Sequence, residues 1–172
     1  EIRISISGKQ HICIIGKNGV GKSTLLKKIW EELKDKNDIN IGYMPQNYEE
    51  ILDFSKTPIE FLESNYDKND LTKAMCFMGS MKFTTNEMSN KIGELSGGQK
   101  AKLIFLNMVL KGCNVLILDE PTRNFSPLSA PIVRQALYEF NGTIISISHD
   151  RKYLDEVADI IYVLTESGLS QL

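Results

Sequence analysis

The sequence predicts an α/β fold in which a mainly parallel sheet carries a small antiparallel β edge and a helical subdomain. Three observations predict it. Four short runs, HICII at 11–15, VLIL at 115–118, TIISIS at 143–148 and IIYVL at 160–164, are together mainly apolar, as suits strands covered on both faces of a parallel sheet. Helical periodicity separates several of them: Leu25, Leu26, Ile29, Trp30 and Leu33 recur at i, i+4 and i+8 after Gly21, one apolar stripe on a helix. A strand, helix, strand order is the signature of parallel pairing. Finally, the stretch 47–95 has few β-branched runs and several helix starts, which marks it as a helical insertion.

Taken in order, residues 2–7, IRISIS, alternate apolar and polar, the period of a half-buried and antiparallel strand. Gly8 and Lys9 turn the chain into the first buried strand. In the insertion, Thr57-Pro58-Ile59-Glu60 offers an N-cap, Pro at N1 and Glu at N3, a capping box. Asp67 to Asp70 supplies a turn and cap before the helical run LTKAMCFM. No Pro/Gly-rich linker flanks the insertion, so the expectation is a single domain over 1–172. Its α/β core would comprise 1–46 and 96–172, with 47–95 as the helical subdomain.

Composition narrows the function classes. The chain has 172 residues, 42% hydrophobic and 24% charged, with 20 Lys+Arg against 22 Asp+Glu and a net charge of −2. There is no global basic footprint of a dedicated nucleic-acid binder. No stretch approaches the ~18 apolar residues needed to cross a bilayer, and the N-terminus lacks the apolar run of a signal peptide, so a cytoplasmic chain is expected. Cys13, Cys76 and Cys113 are far apart and show no CxxC or His-flanked spacing. They read as small buried hydrophobes in a reducing compartment, not as a disulfide or zinc framework.

Chemistry concentrates at Gly16-Lys17-Asn18-Gly19-Val20-Gly21-Lys22-Ser23, followed by Thr24. The run satisfies GxxxxGK[ST] between a predicted strand and a predicted helix, the context this phosphate loop requires. Glycines let successive N–H groups converge on an anion, and the helix adds the positive end of its dipole. A phosphate chain is the expected guest, with Lys22 on the β and γ phosphates and the Ser23 hydroxyl on a bridging Mg²⁺. Such a site also needs a carboxylate at the end of a neighbouring strand. Val115 to Glu120 supplies two: Asp119 to hold Mg²⁺ and Glu120 to act as general base on the attacking water.

Leu95-Ser96-Gly97-Gly98-Gln99 precedes the helical run KAKLIFLNMVLK, which Gly112 closes. Ser96 and Gln99 read as a capping box. Capping does not account for two glycines in the first turn, where they are poor helix formers. A helix start stripped of side chains suits close approach of an anion. That makes one more phosphate-binding helix end than one ATP needs.

Together these residues resemble the ATP-binding cassette ATPases. Gly16 to Ser23, Gln46 after the strand INIGYMP, LSGGQ at 95–99, LILDEPT at 116–122 and His149 in ISHD stand in that family's order over nearly the whole chain. LSGGQKAKL and SHDRKYLDEVAD are similar to the F subfamily, whose members carry two cassettes, lack membrane segments and act on ribosomes in translation or in protection against ribosome-targeting antibiotics. The resemblance implies a P-loop NTPase core, ATP and Mg²⁺ as ligands, and hydrolysis to ADP and phosphate, slow in an isolated cassette. It implies a second cassette, in the same polypeptide or a homodimer, paired head to tail. Ser96, Gly97, Gly98 and Gln99 would then meet an ATP held by the partner. Gln46 would sense Mg²⁺ and the attacking water, and His149 would hold the γ-phosphate from the far side. His11 matches nothing and is given no role.

Two departures stand out. Cassettes usually place an aromatic that stacks on adenine well upstream of the phosphate loop, whereas none of the 15 residues before Gly16 is Phe, Tyr or Trp. A fragment of a longer parent is therefore expected, its contact with ribosome or rRNA made through the full-length protein. Ser126 stands where the family commonly has an aspartate that signals across the dimer. The alternative system is an ATPase subunit docking a membrane transporter through the helical lobe.

Overall fold

The computed structural model describes residues 6–80 and 83–172, which fall into two compact units, 6–46 with 113–172, and 47–80 with 83–112. The strand expected over 2–7 lies largely outside the described residues.

The first unit is built on strands β1 (His11–Gly16), β2 (Ile41–Met44), β3 (Val115–Asp119), β4 (Thr143–Ile147), β5 (Ile160–Thr165) and β6 (Gly168–Gln171). They form one six-stranded sheet in the order β2-β3-β4-β1-β5-β6, parallel throughout except for the β5–β6 pair. The antiparallel edge is thus a hairpin at residues 160–171 closed by Glu166 and Ser167, a two-residue connection that keeps consecutive strands adjacent. Its second strand, GLSQ, carries one apolar side chain, too little for hydrophobic patterning to reveal.

Ile14, Ile117, Ile145, Ile147 and Leu164 project from the sheet into one cluster with Leu26 of α1 (Lys22–Leu33). The apolar stripe of α1 is what covers that face, and Trp30 extends it by stacking on Tyr43 of β2 with ring centroids 4.6 Å apart. Helices α6 (Ala130–Tyr138) and α7 (Arg151–Glu156) complete this unit. His11 is buried, its ring nitrogens 3.2 Å from the carbonyl oxygens of Val157 and Phe140, a structural role at the start of β1.

The second unit holds α2 (Pro58–Glu63), α3 (Lys68–Ser80), α4 (Thr85–Ser89) and α5 (Gly97–Leu110) around buried Leu62, Ala74, Met78, Leu103 and Leu106. The box at Thr57 forms: the Glu60 N–H donates to Thr57 Oγ1 at 3.2 Å and the Thr57 N–H to Glu60 Oε2 at 2.8 Å. Asp67 Oδ1 accepts the N–H groups of Asn69 and Asp70, each at 2.9 Å, and so starts α3. The Tyr66 hydroxyl donates to the Asn107 carbonyl at 3.1 Å. Helix α5 packs inside this unit, whereas its sequence position after residue 96 had placed it with the core. A helical period is the same whichever lobe covers it. Of the cysteines, Cys13 is buried, Cys113 is half-buried and Cys76 is exposed, so the expectation of burial fails at Cys76 on the outer side of α3.

Candidate nucleotide site

The carboxyl ends of β1, β4 and β3 lie side by side, because Ile14 pairs with Ile147 and Ile147 with Asp119. Parallel strands in this order deliver the loops after β1, β3 and β4 to one crevice, where open α/β sheets bind ligands. The loop from Gly16 to Gly21 leaves β1 under tight constraint. A Cβ on Gly16 would stand 2.4 Å from the Leu164 carbonyl oxygen of β5, so only glycine lets the chain turn there. Gly21 caps α1 with φ 97°, a left-handed conformation that glycine adopts freely. No side chain caps α1, so its first N–H groups keep the orientation that receives an anion. Lys22 lies across the loop, its Nζ donating to the Gly16 carbonyl at 2.8 Å and the Lys17 carbonyl at 3.0 Å.

A cavity of about 670 Å³ is lined by Asn18, Gly19, Gly21, Lys22, Ser23 and Thr24 on one side. Gln46, Asp119, Glu120 and His149 line the rest, with Arg123 and Ile147. The first unit therefore gathers the expected residues of the phosphate loop, except Gly16, whose part is to admit the turn. Asp119, at the end of β3, is only 6% exposed. Glu120 sits at φ 53°, the one described non-glycine residue with a positive φ. Its N–H donates to the Ile147 carbonyl at 2.9 Å, and its Oε2 accepts the His149 N–H at 3.3 Å. The His149 Nε2 is 3.7 Å from Glu120 Oε1. Burial lifts the Glu120 carboxyl above its ordinary value; the His149 backbone N–H and the nearby His149 ring pull it down, Asp119 pushes it up, and Arg123 opposes. A carboxyl raised in this way is a better proton acceptor once ionised.

Sequence reasoning assigned no role to Arg123. The signal was its place three residues beyond Glu120, in a turn where the Arg123 N–H donates to the Glu120 carbonyl at 3.1 Å. Ser96 to Gln99 belong to the second unit. There the Gln99 N–H donates to Ser96 Oγ at 3.3 Å and the Ser96 N–H to Gln99 Oε1 at 2.7 Å, a formed capping box. The Gln99 amide also donates to Glu87 Oε1.

The profile of the ABC transporter family matches residues 1–123. The chain belongs to the ABC transporter family. Among curated relatives, this ABC cassette is 34% identical to "ABC transporter F family member 2" of Arabidopsis thaliana, over 98% of the chain and 26% of that protein. It is 30% identical to "ABC transporter ATP-binding protein ARB1" of Saccharomyces cerevisiae, over 95% of the chain and 27% of that protein. The cassette thus spans about a quarter of the length of these relatives. Its fold matches a dimeric ATP-binding cassette solved in a post-hydrolysis state bound to ADP and Pi, with a TM-score of 0.80 at 19% identity, over 99% of this chain and 89% of that one. The matched family and fold make this chain an ABC ATPase domain with a P-loop core. No helix among the described residues is long and apolar enough to cross a membrane.

Proposed function

We propose that residues 1–172 form one cassette domain that binds and hydrolyses ATP in a cytoplasmic F-type protein acting on the ribosome, in translation or antibiotic resistance. The observation that carries the catalytic reading is the single cavity shared by the phosphate loop, Asp119, Glu120 and His149. Lys22 and the N–H groups at the start of α1 would neutralise the β and γ phosphates. The Ser23 hydroxyl, the Gln46 amide oxygen and the Asp119 carboxylate line the same cavity. Three oxygen donors of this kind suit a hard divalent cation, and these residues would hold Mg²⁺. When bound, the cation supplies charge stabilisation to the phosphate oxygens. Glu120 takes a proton from the attacking water as its oxygen bonds to the γ-phosphorus; the bond to the β-phosphate oxygen breaks, leaving ADP and phosphate. His149, beside Glu120, steadies the γ-phosphate.

Ser96, Gly97, Gly98 and Gln99 would serve the ATP of a partner cassette, in the same polypeptide or a second copy. ATP then joins two cassettes head to tail and hydrolysis separates them. The relatives named for the F family support the system-level reading. The test uses two variants of the full-length protein. Lys22→Ala should abolish ATP binding in calorimetry, and Glu120→Gln should bind ATP yet stall. The stalled variant should co-sediment with ribosomes in ATP; if it remains in the supernatant, the ribosomal role fails and a membrane transporter partner becomes the better reading.

A further inference from the structure

Glu120 is the strained residue of the site, and a residue held at positive φ persists only where its surroundings over-determine it. Its own atoms make part of the hold, through Ile147 and His149. One more bond joins the two segments without touching either residue. The Thr122 hydroxyl, two residues past Glu120, donates to Asp150 Oδ2 at 3.0 Å, and Asp150 directly follows His149. Thr122 is 6% exposed, so its hydroxyl has little water to fall back on.

Asp150 is itself fixed from three directions. Its Oδ1 accepts the Lys152 N–H at 3.0 Å and caps α7. Its own N–H donates to the hydroxyl of buried Ser148 at 3.1 Å. Its Oδ2 faces Nη1 of Arg134 at 3.8 Å. Arg134 is 5% exposed and gripped by Glu156, with Nε donating to Oε2 at 2.6 Å and Nη2 to Oε1 at 3.4 Å. A buried guanidinium demands paired acceptors, and a two-pronged carboxylate fixes its plane. Glu156 therefore orients Arg134, Arg134 faces the carboxylate of Asp150, and Asp150 meets Thr122.

We infer that Asp150, held by Thr122 and Arg134, is a positioning residue that sets His149 against Glu120. The inference rests on the ATPase reading and assigns to the Thr122–Asp150–Arg134 chain the geometry of the catalytic pair. Thr122, Asp150 and Arg134 do not line the nucleotide cavity and would not contact ATP. Its loss should cost turnover and spare nucleotide affinity, because the phosphate loop stays intact.

The experiment measures kcat and ATP affinity in the full-length protein. Thr122→Val keeps the shape of the side chain and removes the donor; it should lower kcat roughly tenfold with ATP affinity within about twofold of the parent. Thr122→Ser restores the hydroxyl and should recover most of kcat. Combining Thr122→Val with Arg134→Met should cost little more than the worse single change, since both act through Asp150. Unchanged kcat in Thr122→Val overturns the inference, as does a parallel loss of affinity and turnover or a simple product of the two single effects. If Thr122→Val does not fold, Asp150→Asn, which weakens the same carboxylate contacts, is held to the same criteria. Glu120→Gln run alongside separates the two failures: if it turns over at the parental rate, Glu120 is not the base and the catalytic pair on which the inference rests falls, and if it stalls while Thr122→Val does not, only the positioning role falls.

Discussion

Replacing Gly16 with alanine perturbs the point where β1 becomes the phosphate loop. The added Cβ would lie 2.4 Å from the Leu164 carbonyl oxygen and 3.3 Å from Cγ1 of Val20. The first contact is about 0.9 Å short of the ~3.3 Å at which carbon and carbonyl oxygen ordinarily meet. It cannot be relieved by a side-chain rotation, because Leu164 is backbone-paired with Gly16 in the β1–β5 ladder. Overpacking of this kind costs about 2–3 kcal/mol. With a urea m-value of roughly 2 kcal/mol/M, the unfolding midpoint of the chain should fall by about 1–1.5 M. Ligand binding should suffer too, since the Gly16 carbonyl that must move is an acceptor for Lys22 Nζ. Gly79 is the control: it lies in α3 with nothing within 4 Å of an added Cβ, so Gly79→Ala should be neutral or stabilise by up to about 1 kcal/mol. A Gly16→Ala midpoint within about 0.3 M of the parent would refute the reasoning that the close approach of β5 dictates glycine.

Two other outcomes follow from the same kind of bookkeeping. Ser96→Asp keeps an N-cap oxygen and adds a charge the helix start favours, so thermal stability should hold while, on the proposed head-to-tail pairing, ATP hydrolysis in the full-length protein collapses by repulsion of the partner's γ-phosphate; Ser96→Ala, by contrast, should lose about 1 kcal/mol in a melt. Burial raises the Cys13 thiol to about 11 from 9.0. The folded chain thus keeps a proton that the unfolded chain releases, so the stabilisation is whole below pH 9 and is lost as pH rises towards 11, at about 1.4 kcal/mol per pH unit. Parent and Cys13→Ala stabilities, measured in urea between pH 8 and 11, should converge along that slope; parallel curves would show that the thiol does not titrate this way.

What the sequence disclosed depended on how local the physics was. The buried strands announced themselves because covering both faces favours apolar residues at successive positions, as in Leu116 to Leu118. The phosphate loop was legible because its chemistry needs neighbours in sequence, and the capping boxes at Thr57 and Ser96 because their bonds span three residues. Contacts closed by tertiary structure left no such mark. Thr122 and Asp150 are 28 positions apart, and Arg134 and Glu156 are 22. Each alone reads as an ordinary loop or surface-helix residue. The unit to which α5 belongs was hidden for the same reason, and β6 because an edge strand with exposed Ser170 and Gln171 has no apolar rhythm.

The acidic pair shows where local reading stops and geometry takes over. Successive side chains along a strand point to opposite faces, so two adjacent carboxylates at the end of β3 should not serve one site. Asp119 and Glu120 nevertheless line the same cavity. The φ of 53° at Glu120 ends the strand's alternation at that residue and turns the second carboxylate back beside the first. A glycine would adopt that backbone without strain, but a glycine carries no base. Glutamate at this position is therefore conformationally costly and, for the proposed reaction, chemically required; its N–H donates to the Ile147 carbonyl, and its carboxylate and carbonyl accept the N–H groups of His149 and Arg123, which keep it there. For the proposed reaction, a positive φ that among the described non-glycine residues falls on Glu120 alone, and that brings its carboxylate to the cavity beside Asp119, is the structural argument for Glu120, and not Asp119, as the proton acceptor.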